Sequence, residues 1–404
     1  MAVIRPFSAV RPRPENVAAV AAVPYDVVSR EEAAQLAAGN PLSFLHVSRS
    51  EIDLEPGIDP YSDAVYAKAQ ENYGKLQQMG VLIREQEDSL YVYRLRSGQH
   101  SQVGLAATFA VDEYDGGKIL KHEKTRKDKE DDRTRHILTL RAQTGPVLLT
   151  FRPLPTIRAL FEEAVQGQPL YDLTASDGIQ HTVWRVSQPG LWVQAFGAVP
   201  SLYIADGHHR AAGASRARAR LREESSSWSG QEAANFFLAV AFPTDQLRIL
   251  PYDRVVKDLN GMTAQQLREK LHPFVGARAV PEGPGHCSMY LEGQWLDVDM
   301  TAWATAAASP VGRLDVALLQ EHVLARYLGI QDPRTDKRID FVGGTAGVEE
   351  LVRRVDSGQA AVAFSMAPTS LDQLLEISDA GEIMPPKSTW FDPKLRDAIV
   401  IHAI

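Results

Sequence analysis

Apolar and polar positions change period many times along this chain. Residues 89–95, Ser-Leu-Tyr-Val-Tyr-Arg-Leu, are aromatic and β-branched enough to predict a strand. Residues 104–111 predict its partner, with Ser97-Gly98 as the hairpin turn. Residues 61–79 carry Tyr66, Leu76 and Met79 among their apolar positions and end before Gly80, which suits a helix with a glycine stop. Ser29-Arg30-Glu31-Glu32 has the capping-box pattern and opens a helix over residues 31–38. Further helices are expected over residues 157–165, 263–271, 315–327, 348–355 and 370–378. Strands are expected over 43–49, 143–151, 178–186, 191–196, 234–241, 247–256, 360–365 and 399–404, with a small β-element around 288–298. Short strands mixed irregularly with helices indicate an α+β fold of mixed short-stranded sheets, not a regular doubly wound sheet.

Length sharpens the organisation. A chain of 404 residues exceeds one ordinary core. Three segments are expected: a main region over 1–260, a small α/β insertion or accessory domain over 261–330, and a C-terminal segment over 331–404 that packs back on the core. The net charge of −8 makes nucleic acid an unlikely partner, because phosphate binding wants a basic surface. Cys287 stands alone, which excludes an intrachain disulfide and fits a reducing cytoplasm. The N-terminus lacks the pattern of a signal peptide, and no apolar run is long enough to span a membrane.

The candidate chemistry centres on Asp206-Gly207-His208-His209-Arg210. An apolar run precedes it, and a helical stretch opening with Ala211-Ala212 follows. Asp206 is expected to be the N-cap of that helix. Gly207 permits a close backbone approach. A helix N-terminus favours anions, and Arg210 beside it favours them further. The pentapeptide therefore predicts a phosphate or carboxylate site with imidazoles for proton traffic. An ordinary Asp-Gly turn is the alternative. No metal site is expected: adjacent helical residues point about 100° apart, so His208 and His209 are poorly placed to chelate one ion.

His122-Glu123-Lys124-Thr125 packs a base, an acid, a cation and a hydroxyl into four residues. Phosphoryl transfer needs such groups: a carboxylate to take a hydroxyl proton, and cations beside phosphate oxygens. The charged run 127–135 after it reads equally as a solvated helix face with an Asp131–Arg135 pair. A third stretch, Pro385-Pro386-Lys387-Ser388-Thr389, offers a cation and two hydroxyls on a rigid backbone, with Lys394 as a second cation. It lacks the glycines of a Walker loop. It reads either as a phosphate contact or as a C-terminal clamp.

Taken together, Arg5-Pro6-Phe7, Pro24-Tyr25-Asp26-Val27, residues 40–45, His122-Glu123-Lys124-Thr125, residues 205–210 and residues 384–389 resemble a large bacterial and archaeal family of unknown function, family one-thousand-fifteen in the usual domain numbering. Asp206-Gly207-His208-His209-Arg210 also resembles the phosphate-binding motif of the ParB/sulfiredoxin-like superfamily, which implies a core of that kind. Free-serine kinases of that superfamily carry the same pentapeptide and make O-phosphoserine from serine and ADP or ATP. The resemblance implies that Asp206, Gly207, His208, His209 and Arg210 bind nucleotide phosphates. Those kinases use a separate Glu as base; no local motif here matches it, and Glu123 is the choice on chemistry.

The expected activity is that of a cytoplasmic, nucleotide-dependent phosphotransferase on a small hydroxyl metabolite, foremost L-serine. Glu123, His122 and His209 are the candidate catalytic residues. Thr125, Lys387, Ser388 and Thr389 join the pentapeptide in nucleotide binding, and Mg²⁺ accompanies ATP or ADP. The alternative is a nucleotide- or phosphometabolite-binding regulator without catalysis. A DNA-associated ParB-like protein is disfavoured by the acidic charge and by the lack of a helix-turn-helix signal.

Overall fold

The computed structural model describes residues 2–275 and 278–404. The fold is α+β, and the contacts divide it into two compact units. One comprises Met1–Leu247 with Pro393–Ile404, the other Arg248–Asp392.

The first unit is built on a nine-stranded sheet. Its strands are Ile4–Arg5 (β1), Tyr91–Ser97 (β2), His100–Ala110 (β3), Ile119–Leu120 (β4), Val147–Phe151 (β5), Tyr171–Thr174 (β6), Gln180–Arg185 (β7), Leu202–Asp206 (β8) and Phe236–Pro243 (β9). The order is β4-β8-β5-β9-β3-β2-β7-β6, with β1 alongside β3. The expected hairpin forms between β2 and β3, pairing Ser97 with His100. Two strand pairs are parallel, β4 with β8 and β5 with β9. The core under this sheet is aromatic, with Phe109, Phe151, Phe161, Trp184, Trp192, Phe196 and Phe237 in one buried cluster.

The longer helices of this unit are Arg30–Ala37 (α1), Asp63–Gln78 (α2), Lys127–Leu140 (α3), Pro155–Ala164 (α4), Pro189–Phe196 (α5) and His208–Glu224 (α6). Helix α1 starts at the anticipated Ser29–Glu32 capping box. Helices α3 and α6 approach closely because residue 213 is glycine. A Cβ there would lie 2.8 Å from the Cβ of Arg133.

Two expected strands are helical. Residues 191–196 lie in α5, where Pro189 sits in the first turn and Trp192 and Phe196 bury one face at four-residue spacing. Residues 45–48 form one helical turn, with Phe44 and Val47 buried and the Ser43 hydroxyl accepting the Leu45 N–H. Short apolar runs do not distinguish strand from helix, and burial of the i, i+3 and i+4 positions decided both. The expected terminal strand reduces to His402–Ala403.

The second unit holds a six-stranded antiparallel sheet. Its strands include Tyr252–Val256 (β10), His286–Leu291 (β11), Gln294–Asp299 (β12), Ile339–Gly343 (β13) and Val362–Met366 (β14), and the order runs β12-β11-β14-β10-β13 with Phe274–Val275 beside β12. Strands from 252–299 and from 339–366 thus share one sheet, so the boundaries drawn at 260 and 330 do not separate compact bodies. Helices Ala264–Leu271 (α7) and Leu371–Asp379 (α9) begin with full capping boxes, and Gly347–Asp356 (α8) packs Leu351 into the unit's small core.

Candidate functional site

The site begins with the parallel pairing of β4 and β8. Leu202 lies opposite Ile119 and Tyr203 opposite Leu120. Both strands end at the same edge, so residues 121–126 and 207–210 start side by side. Sheets commonly place ligands outside the carboxyl ends of parallel strands. The register of β8 against β5 slips between Ile204 and Asp206, an irregularity at the strand's last residue.

Gly207 then turns the chain with φ of +92°. A Cβ there would meet the Arg210 guanidinium carbon at 2.9 Å, so both backbone and space require glycine. Gly207, not Asp206, is the N-cap of α6, and no side chain caps that helix. The Asp206 carboxylate accepts the Gly207 N–H at 3.0 Å and is drawn to two cations, Arg210 and Lys394, each at 3.3 Å.

The two histidines on the adjoining segments meet edge to face, with ring centroids 4.5 Å apart and planes at 90°. The His122 N–H donates to Nε2 of His208 at 3.4 Å. Glu123 Oε2 lies 3.8 Å from His208 Nδ1. His122, Glu123 and His208 each present one donor atom, and the three atoms lie within 4.8 Å of one another. Both histidines are buried, at 2% and 4% exposure, whereas the Glu123 side chain is 40% exposed. His209 is half-buried, and its Nε2 accepts the Arg126 N–H at 3.0 Å.

Burial keeps the two inner imidazoles neutral. It pushes His122 down to about 4, against a hydrogen bond to the Ile204 carbonyl and the Asp206 charge. Burial, and then His122 itself, puts His208 well below the ordinary value. His209 is also lowered, by burial. Burial alone would raise the Asp206 carboxyl, but Lys394 and Arg210 outweigh it and hold it well below the carboxylate range.

Several sequence expectations change here. Arg210 is 8% exposed; it donates to the Pro146 carbonyl and pairs with Asp206. Its charge is paired inside the fold, while its Nε is buried without a partner among the described residues. The Thr125 hydroxyl donates to Glu130, which also takes Arg216 at 3.1 Å. The run 127–135 is no solvated face throughout: Asp132, Arg133 and Thr134 are buried. There Asp132 accepts from the Tyr66 hydroxyl at 2.8 Å and pairs with Arg133 at 2.7 Å, and Arg133 lies over the Tyr25 ring at 3.7 Å. Arg135 and Asp131 do not pair with each other; their partners are Asp63 and Arg216.

Lys387, Ser388 and Thr389 belong to the second unit. The Ser388 hydroxyl donates to the Pro385 carbonyl at 2.6 Å, and the Thr369 hydroxyl donates to the Ser388 carbonyl at 2.9 Å. Arg254 donates to the Lys387 carbonyl at 3.0 Å, and the Lys387 ammonium lies 5.3 Å over the Tyr252 ring.

Three further residues of the first unit join the site. Lys394 reaches Asp206 from the far end of the chain. Asp26, exposed on the turn Tyr25–Val27, acts electrostatically on both His209 and Arg210. Burial pushes the Asp397 carboxyl up to about 7, although Arg210 and Arg133 lower it. Only the rigid Pro24-Tyr25-Asp26 turn stands out in sequence.

A family model described as "Protein of unknown function (DUF1015)" matches residues 4–317. No curated protein matches the chain. Among solved structures, a free serine kinase variant in complex with AMP is similar at 13% identity and a TM-score of 0.37, over 71% of this chain and 87% of that one. A conserved hypothetical protein from Pyrococcus furiosus is similar at 14% identity and 0.37, over 73% and 94%. SbnI with a C-terminal truncation, from Staphylococcus aureus, is similar at 13% and 0.39, over 73% and 87%. Among the described residues, no helix is long and apolar enough to cross a membrane.

Proposed function

The chain belongs to the DUF1015 family, and we propose that it is a nucleotide-dependent phosphotransferase acting on a small hydroxyl metabolite, foremost L-serine. One observation carries the proposal: Glu123 lies 3.8 Å from His208, on the first turn of a 17-residue helix, so the two sequence motifs share one edge. The pentapeptide's resemblance to that of free-serine kinases adds the substrate class.

In this reading the first N–H groups of α6, which lack partners within the helix, receive the phosphate oxygens. Gly207 lets the phosphate come close. Arg210 and Lys394 hold Asp206, and with it the turn. Glu123, the most exposed of the three clustered donors, accepts the hydroxyl proton. The hydroxyl oxygen bonds the terminal phosphorus, and the bond to the bridging oxygen breaks, leaving the shortened nucleotide. Two imidazoles and one carboxylate do not fit Mg²⁺, which prefers an octahedron of oxygens. Mg²⁺ therefore belongs to the nucleotide's phosphates and not to these side chains.

The test is incubation of the purified chain with serine, Mg²⁺ and either ATP or ADP, followed by assay for phosphoserine. Product is expected with one nucleotide; its absence with both ends the serine kinase reading. A second reading rests on the burial of His208, which limits it as a catalytic group: a protein that binds nucleotide or a phosphometabolite at the start of α6 without turnover. That reading predicts a nucleotide-dependent rise in Tm and no product.

A further inference from the structure

We infer that His122, Glu123 and His208 form a binding site for a divalent transition-metal ion of the zinc type. The inference does not rest on phosphotransfer, since an ion could be held here with no reaction at all.

Two histidines and one carboxylate are the donor set of three-ligand zinc sites that keep a coordination position open. The three donor atoms already lie within 4.8 Å of one another. Tetrahedral ligands at zinc distances stand roughly 3.3 Å apart, so closure of up to about 1.5 Å completes the set. Glu123 is the side chain with room to supply it, being 40% exposed on a loop between β4 and α3.

His122 provides the independent observation. Its Nδ1 is buried and has no hydrogen-bond partner among the described residues. A buried polar atom without a partner is uncommon and calls for an explanation. The ring's hydrogen bond to the Ile204 carbonyl holds the proton on the opposite nitrogen and leaves a lone pair on Nδ1. Metal-binding histidines are oriented in this way, with the second ring nitrogen donating to a backbone carbonyl. Nδ1 of His208 faces Glu123, and binding an ion there moves the ring proton to Nε2, at the cost of the long 3.4 Å hydrogen bond that Nε2 accepts from the His122 N–H.

The donor set also selects among ions. Imidazole nitrogens suit zinc, cobalt or iron, whereas Mg²⁺ and Ca²⁺ demand oxygen. With an ion in place Glu123 is its ligand, and a substrate hydroxyl in the open position would lose its proton more readily than a free one. Metal binding and phosphotransfer thus assign that carboxylate different work.

The full chain, stripped with chelator and dialysed, would be titrated with Zn²⁺ and with Co²⁺, whose visible absorption reports its ligands. Binding of roughly one equivalent is expected, weakened about tenfold or more in Glu123→Gln and in His122→Gln. Mg²⁺ at the same concentration should not compete. Glu123→Gln changes a partly exposed side chain, and its Tm should match that of the parent, so lost binding would not reflect unfolding. Binding well below one equivalent, or equal binding by parent and both variants, overturns the site. Phosphoserine formation is assayed separately, with metal-stripped and metal-loaded protein, so the failure of one reading is visible apart from the other.

Discussion

Two stretches of this chain look alike as phosphate binders in sequence, the paired motifs at 122–125 and 206–210 and the later run at 384–389. Folded, they differ in what they leave unused. In the later run the Ser388 hydroxyl, its carbonyl and the Lys387 carbonyl all have hydrogen-bond partners within the second unit. In the paired motifs, His122 keeps a buried nitrogen without a partner among the described residues. Residue type alone does not mark a site. Hydrogen-bonding capacity that the fold creates and then leaves unspent marks it better, because burying such capacity costs stability.

Arg210 donates to the Pro146 carbonyl and pairs with Asp206, and its removal should have the largest effect. Arg210→Met would leave Asp206 only Lys394 as a cation. Breaking a buried pair costs roughly 3–5 kcal/mol, and the partial exposure of Asp206 places this case toward the lower end. The urea midpoint should fall accordingly; an unchanged midpoint with lost nucleotide binding would make Arg210 a ligand after all.

Asp397 gives the next effect. Its folded value of about 7 lies above the ordinary 3.8, so the fold favours the neutral acid. That contribution is complete below about pH 4 and is lost as the pH rises through about 7. Asp397→Asn, neutral at every pH, should therefore gain stability relative to the parent between pH 5 and 8, by on the order of 2–4 kcal/mol. Chemical denaturation at several pH values checks this, and a constant gap would show that Asp397 is ionised throughout.

Ser388→Ala in the second unit should cost least, about 1 kcal/mol for one hydrogen bond, with turnover unchanged. Loss of turnover at unchanged stability would instead restore residues 387–389 to the nucleotide site.

Much of this was legible in the chain itself. Capping boxes fixed the starts of α1 and α7, and a hairpin turn fixed β2 against β3. The chemical character of the two motifs was equally plain. Their meeting was not, because it depends on a parallel pairing through the two-residue strand Ile119–Leu120, too short to leave a period. The pairing of Lys394 with Asp206, and Asp397 altogether, were hidden for a similar reason: both arrive from the C-terminus through tertiary packing. The Asp206 cap was misjudged because two cations, one of them distant in sequence, claim its carboxylate. Residues 191–196 misled because an apolar run that short carries no decisive period.

The central claim is that Glu123 beside His208 is where the chemistry happens, and a single comparison tests it. Parent and Glu123→Gln proteins would be assayed side by side for phosphoserine from serine and nucleotide, with Tm recorded for both. The account predicts a loss of about a hundredfold or more, the scale of a missing general base, at an unchanged Tm. Equal rates from the two proteins would contradict it.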